Sequence, residues 1–339
     1  MSDSPFSYEL PADRIAQRPV RPYHEARLLV ADLVRETLEE SRFINLSQFL
    51  SPQDLLVLND TRVLPVRLFG IFRGSEVEIL LVENTNKNCW SCLGRPARKL
   101  KSGSLIKFGD DFSATVLERT DTGLLQVELQ TNGQSIGEAI ASHGVMPIPP
   151  YIRKGRADEQ DLLDYQTLVA QSPGSIAAPT ASLHFTKDLF NSLESKGCRW
   201  TTITLHVGTA SFLSVLKDDG SLRKPGAEFV VPNQRALEVI RKTRESGGRV
   251  IAVGTTVARA LESPEIFESA SEFQTELFIT PGYSFKVIDG LITNFHQPGT
   301  THLLLVEAMM NRGFLSKAYH FALENEFRFL SYGDGMLII

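Results

Sequence analysis

The chain has 339 residues, 42% hydrophobic and 22% charged, proportions of an ordinary globular protein long enough for two domains. Its formal net charge of −5 excludes a basic field over the whole surface, though not a local basic patch for nucleic acid. No apolar run approaches the roughly 18 residues of a membrane-spanning helix. The first residues lack a signal-peptide pattern, and three cysteines make no disulfide framework, so a cytoplasmic protein is expected.

In chain order, Arg27 to Ala31 reads as a strand followed by a short amphipathic stretch. The apolar run Leu55 to Leu58 reads as a second strand, leading into Asn59-Asp60-Thr61-Arg62. From residue 65 to 147 the texture changes. The short runs VRLFGIF, EVEILLV, CWSCL, SLIKF, FSATVLE and LLQVEL alternate with Gly, Asn and Asp, as in a small barrel or sandwich. Cys89 and Cys92 lie within one of these strands rather than at a helix N-terminus, and only Cys198 remains elsewhere. Neither a redox nor a zinc site is expected. Ser135 and Glu138 have capping-box spacing for a short helix ending near Gly144.

Beyond Tyr151 helices and strands alternate. A helix capped by Thr186 precedes a strand from Thr201 to Val207, and Asn233 to Glu245 has helical periodicity. The strand Arg249 to Val253 turns at Gly254-Thr255-Thr256 into a helix expected from Val257. Strands are expected at Glu276 to Thr280 and Val287 to Phe295, helices near 301–312 and 315–327, and a closing strand at Met336 to Ile339. The expected architecture is a large mixed α/β domain, 1–64 with 148–339, carrying a small β-barrel inserted at 65–147.

Single motifs leave their chemistry open. Gly254-Thr255-Thr256 between strand and helix suits an anion, but equally an ordinary threonine cap. His184, His206, His296 and His302 lie beside strand ends or turns, without the spacing or carboxylates of a metal site. Asn59 to Arg62 fits a ligand clamp or a plain turn. Arg95, Arg98, Lys99 and Lys101 form the densest basic stretch, suited to a phosphate backbone or to solvent.

Together the motifs are more specific. DLLVLNDTRVLPVRLFG, RPARKLKSG, GSIAAPTASLHFT, TLHVG, RVIAVGTT, TELFITPGY, FKVIDGLITNFHQP and SYGDGMLI follow one order over nearly the whole chain. This resembles the S-adenosylmethionine:tRNA ribosyltransferase-isomerase family of queuosine biosynthesis. The resemblance implies transfer and isomerisation of the ribosyl part of S-adenosylmethionine onto 7-aminomethyl-7-deazaguanine at the tRNA wobble position. The products would be epoxyqueuosine-tRNA, adenine and methionine. S-adenosylmethionine would be a co-substrate, with no further cofactor and no metal, and a monomer is expected. Three stretches depart from the family pattern. TLHVGTASFLSV stands for HVG-x-GTF-x-PV, Pro225-Gly226-Ala227-Glu228 for Met-His-Ser-Glu, and AVGTTVARALES for AVGTTSVR-x-LE.

That chemistry needs a base for the carbon beside the sulfonium, an acid for departing adenine and an anion site for the methionine carboxylate. His184, His206 and His296 are the acid–base candidates. Gly254, Thr255, Thr256 and Arg259 are expected to hold a carboxylate or phosphate. Thr180 belongs to the substrate site, Tyr283 faces a base or the sulfonium, and Asn294 bonds a base or ribose. Asp60 and Arg62 orient the deazaguanine, while Arg95, Arg98, Lys99 and Lys101 track the tRNA backbone. A methyltransferase and a non-catalytic RNA-binding protein are the rival readings. The first lacks a Gly-rich first-strand loop, and the net acidity disfavours the second.

Overall fold

The structure is a computed structural model describing residues 6–121, 123–208, 224, 226–269 and 271–339. Its strands in chain order begin with β1 (Arg27–Asp32), β2 (Thr37–Arg42), β3 (Leu55–Asn59), β4 (Thr61–Val63), β5 (Arg67–Phe72), β6 (Ser75–Asn86), β7 (Cys89–Arg95) and β8 (Leu105–Lys107). There follow β9 (Phe112–Arg119), β10 (Leu125–Thr131), β11 (Ser172–Ser175), β12 (Arg199–His206), β13 (Glu228–Val231), β14 (Val250–Val253), β15 (Phe273–Thr275), β16 (Gly290–Asn294) and β17 (Gly335–Ile338). They divide between two compact units. One comprises Met1–Arg62, Tyr151–Arg153 and Asp164–Ile339, the other Val63–Pro150 and Lys154–Leu163.

The larger unit is built on a nine-stranded sheet in the order β15-β13-β12-β3-β14-β16-β17-β1-β2. Its centre, β12-β3-β14-β16, is parallel throughout, and β16 meets β17 antiparallel. Strands covered on both faces need apolar residues at every position, which is how LLVL, VIAV and GLI read. Successive residues supply opposite cores. Leu55, Val57, Val250, Ala252 and Leu291 enter one cluster; Leu56, Leu58, Ile251, Val253 and Ile292 enter the other. The first cluster is covered by the helices Gln234–Glu245, Thr255–Glu262, Thr301–Met310 and Arg312–Glu324. The second is covered by Phe43 and Leu46 and by the helix Lys187–Ser195. Each fully buried aliphatic side chain contributes about 1.5–3 kcal/mol, so this two-sided core fixes the register of the strands.

The smaller unit is a closed barrel, β10-β7-β6-β5-β8-β9. All six apolar runs read from the sequence between residues 65 and 131 form its strands. The expected capping box is present, with Ser135 and Glu138 satisfying each other's backbone N–H groups at the start of Ile136–His143. Buried Arg67 donates from Nη1 to the carbonyls of Ile148 and Gly155 and pairs through Nε with Glu78 at 3.0 Å. Cys89 and Cys92 are free thiols three positions apart on β7, and burial pushes Cys92 up to about 12. Odd spacing on a strand points them to opposite sides, so they form no C-x-x-C site.

Several expectations are corrected. The amphipathic stretch after β1 is the exposed strand β2, which pairs antiparallel with β1. Glu276 to Thr280 is not a strand: Thr275 Oγ1 accepts from Leu277 N and Arg259 Nε donates to Leu277 O, so side chains take the groups a ladder would use. The helix expected from Val257 begins at Thr255, because Gly254 (φ 100°) makes the turn and accepts from Ala258 N at 3.2 Å. Among the described residues, no helix is long and apolar enough to cross a membrane.

Candidate functional site at the strand ends

Because β12, β3, β14 and β16 are parallel, their C-terminal ends lie along one edge. That edge carries His206, Asn59-Asp60, Gly254 and Asn294, one from each motif of the sequence. In an open α/β sheet this edge is where ligands bind, since helix N-termini and loop backbones open there. At about 4.8 Å per strand, β12 to β16 spans roughly 14 Å, the scale of a nucleoside with a side chain attached.

Alternation divides these side chains between the two faces of the sheet. On the face of the second core, Asp60 accepts from Thr204 Oγ1 at 2.6 Å and from Thr202 Oγ1 at 2.9 Å. Its neighbour Asn59 ties β3 to β12 by accepting from Leu205 N (3.1 Å) and donating to Leu205 O (2.9 Å). His206 is half-buried, its Nδ1 2.8 Å from Thr61 Oγ1, and the ring packs where a Cβ on Gly174 would lie only 2.8 Å from it. Burial lowers its pKa, with Glu272 and Asp60 opposing.

Farther along this face, Asn294 Oδ1 accepts from Thr180 Oγ1 at 2.8 Å, and its Nδ2 lies 3.4 Å from His184 Nε2. His184 is buried and stacked on Phe43 with ring centroids 4.1 Å apart. Burial, with help from Arg328, lowers its pKa to about 3. This imidazole is neutral and walled in, and its reach is to the Asn294 amide. The Ser182 hydroxyl of the same turn is buried with no hydrogen-bond partner among the described residues.

The other face carries a narrow pocket lined by Glu228, Thr255, Thr256, Arg259, Thr301 and His302, with apolar walls. No side chain caps the helix Thr255–Glu262, so its first N–H groups and positive dipole end face the turn. The Thr256 hydroxyl is buried there without a partner among the described residues. Arg259 forms an ion pair with buried Glu228 and donates from Nε to Leu277 O at 3.0 Å. Glu228 also accepts from Gly208 N at 3.3 Å; burial raises its pKa and Arg259 offsets part of that rise.

His296, three residues beyond Thr293, bonds through Nε2 to Thr293 Oγ1 at 2.7 Å and stacks on His302 with centroids 5.3 Å apart. The Thr293 hydroxyl also lies 3.3 Å from the Asn294 carbonyl, and which group donates in the Thr293–His296 pair follows the tautomer of the ring. Burial holds His296 well below the ordinary histidine value and His302 at about 4, with the neighbouring positive charge of Arg259 adding to the latter. Both rings are therefore neutral near pH 7.

The expected catalytic histidines thus fall into two groups, His184 and His206 on one face and His296 on the other. His302 was not among them, although its place six residues after His296, opening a helix, was the available signal. Tyr283 lies outside the pocket lining: its hydroxyl donates to Glu262 Oε2 at 3.1 Å, and Glu262 also accepts from the N–H groups of Lys286, Val287 and Ile288. Arg62 is exposed. Arg95, Arg98, Lys99 and Lys101 all belong to the barrel unit and are exposed. Residues 209–215 of the departing loop and Pro225 lie outside the described residues.

The model of the family described as queuosine biosynthesis protein matches residues 3–338. The chain belongs to this family. It is 42% identical over 340 residues to the S-adenosylmethionine:tRNA ribosyltransferase-isomerase of Halothermothrix orenii, covering 98% of each. With the enzyme of the same name from Staphylococcus epidermidis it shares 42% identity over 347 residues, covering all of both. A solved structure of the S-adenosylmethionine tRNA ribosyltransferase from Thermotoga maritima aligns with a TM-score of 0.56 and 33% identity, over 99% of this chain and 100% of that one. These matches run over nearly the whole chain.

Proposed function

We propose that this protein transfers and isomerises the ribosyl moiety of S-adenosylmethionine onto 7-aminomethyl-7-deazaguanine in a tRNA anticodon, yielding epoxyqueuosine-tRNA with release of adenine and methionine. The observation that carries the reading is the convergence of the four motif-bearing strand ends on one edge, in a chain matching the family over 3–338. S-adenosylmethionine is a co-substrate in this reading, which assigns no resident cofactor or metal and treats the protein as a cytoplasmic monomer.

The residues supply the required roles as follows. The uncapped helix start at Thr255-Thr256, with the unpartnered Thr256 hydroxyl, receives the methionine carboxylate. Arg259 adds positive potential while its pairing with Glu228 keeps it in place. His296, held neutral by burial, keeps one ring nitrogen unprotonated, the form a base needs to remove the proton beside the sulfonium. His206 serves the adenine or the deazaguanine from the opposite face. Asn294, oriented by Thr180 and His184, bonds a base or ribose edge. His184 acts through Asn294 and is a positioning residue. Asp60, whose oxygens are held by Thr202 and Thr204, positions His206 and β12 rather than gripping substrate alone.

The test is direct. The purified protein is incubated with S-adenosylmethionine and tRNA carrying the aminomethyl-deazaguanine, and the small products are identified. Adenine and methionine in equal amounts are expected. S-adenosylhomocysteine would establish a methyltransferase, and tRNA binding without either product would overturn the catalytic reading.

A further inference from the structure

The barrel unit has no charge excess to explain a grip on RNA, since residues 63–150 hold nine Arg and Lys and nine Asp and Glu. Their placement is uneven. One hollow is lined by Arg95, Lys154 and Arg156 but also by Glu76 and Glu78. Arg156 is paired with Glu76 at 2.6 Å, and Glu78 with Arg67 at 3.0 Å. A second hollow on the same unit is lined by Arg73, Arg98, Lys99 and Lys101, and none of its ten lining residues is acidic. All four cations are exposed, and none has an ion-pair partner among the described residues.

Local structure fixes the backbone that carries this second hollow. Arg98 and Lys99 sit on the 3-10 turn Ala97–Lys99, anchored by buried Leu100. Ser104 Oγ accepts from Lys101 N at 3.0 Å, and Gly103 N donates to Val116 O at 2.8 Å. Across the hollow, Arg73 and Gly74 form the two-residue turn between β5 and β6, with φ of 49° and 76°. Such a turn favours Asn at its first position, and a long side chain there costs on the order of 1 kcal/mol. The turn therefore holds an arginine, over the Phe72 ring at 5.2 Å, at the expense of local stability.

We propose that Arg73, Arg98, Lys99 and Lys101 form a cradle for the sugar–phosphate backbone of the tRNA, and that Arg95 stands outside it. Four uncompensated cations carried on fixed backbone turns attract polyphosphate independently of base sequence. The hollow at Arg95, lined also by Glu76 and Glu78, attracts it less. The identity of the polyanion rests on the reading of tRNA as substrate.

The test uses the full-length protein and its Arg73→Asn, Lys99→Glu/Lys101→Glu and Arg95→Glu variants. Anisotropy with an unmodified tRNA transcript is measured between about 50 and about 200 mM salt, beside steady-state kinetics on modified tRNA. Each lost phosphate contact flattens the log–log salt dependence by about 0.7–0.9. The double variant is expected to raise KM for tRNA by at least about tenfold, leaving KM for S-adenosylmethionine and kcat unchanged. Arg73→Asn is expected to weaken tRNA binding while its Tm holds or rises, which separates lost contact from lost fold. Unchanged tRNA affinity and salt slope in the double variant overturn the cradle, as does an Arg95→Glu effect equal to it. Salt-dependent binding that the double variant abolishes, in a protein releasing no adenine, supports the cradle and overturns the chemical reading alone.

Discussion

The strand-end site and the barrel hollow manage charge in opposite ways. At the strand ends charged groups are answered: Arg259 by Glu228, and Asp60 by two threonine hydroxyls. Histidines there are held neutral by burial. On the barrel the four cradle cations stand in solvent without acidic neighbours. The first arrangement fixes protonation states and geometry for chemistry. The second leaves positive potential free to draw in a polyanion, in a manner that salt weakens.

The sharpest way to break this contrast is His296→Ala. Loss of a positioned base lowers kcat by about 10²–10⁴-fold, with tRNA affinity expected unchanged by anisotropy. Turnover within a few fold of the parent would place the base elsewhere. Glu228→Gln comes next, since it leaves Arg259 largely buried without its counter-charge. A loss of about 3–5 kcal/mol is expected in urea unfolding, whereas Arg98→Glu on the barrel stays within about 0.5 kcal/mol. Equal effects would erase the distinction between answered and free charge.

Acid is a milder probe of the same difference. His184 and His302 are held at about 3 and about 4, below the ordinary histidine value of about 6.5. Above pH 6.5 neither state of the chain is protonated there. As pH falls from about 6.5 towards 4 the unfolded chain takes up protons that the folded one refuses, so stability drops through that window. The Tm of the parent should decline over that range, and His302→Gln should flatten part of the slope. The smallest effect is expected from Gly174→Ala, whose Cβ would meet the His206 ring at 2.8 Å. A fall of several-fold in kcat/KM is expected, roughly 1 kcal/mol of transition-state stabilisation, with the salt dependence of tRNA binding untouched.

Legibility in the sequence followed the range of the forces. The barrel strands were readable because each run and its turn is local, and the capping box at Ser135 is decided within four residues. The two-sided core was readable from unbroken apolar runs such as Leu55 to Leu58. Less visible were β13 and β15, short strands of three or four residues whose pairing is set by neighbours far along the chain. The site followed the same rule. Gly254 announced a turn, but nothing local revealed that Arg259 would be spent on Glu228, that Asp60 would be held by Thr202 and Thr204, or that His302 would stack on His296. The surroundings of Tyr283 were hidden for the same reason: its partner, Glu262, lies 21 residues away.

The position of β17 has a consequence for how the chain is made. This strand sits inside the sheet, between β16 and β1, so Leu28 to Ala31 find partners in Gly335 to Ile338, some 300 residues later. During synthesis the β1–β2 hairpin can form early but has nowhere to dock. Its open edge of unpaired backbone N–H and C=O groups must wait for β17 to emerge from the ribosome. Non-local pairing of this kind folds slowly and exposes sticky intermediates. The protein should therefore mature in a single late step, and a ribosome stalled before residue 335 would hold a sheet split into two unjoined parts.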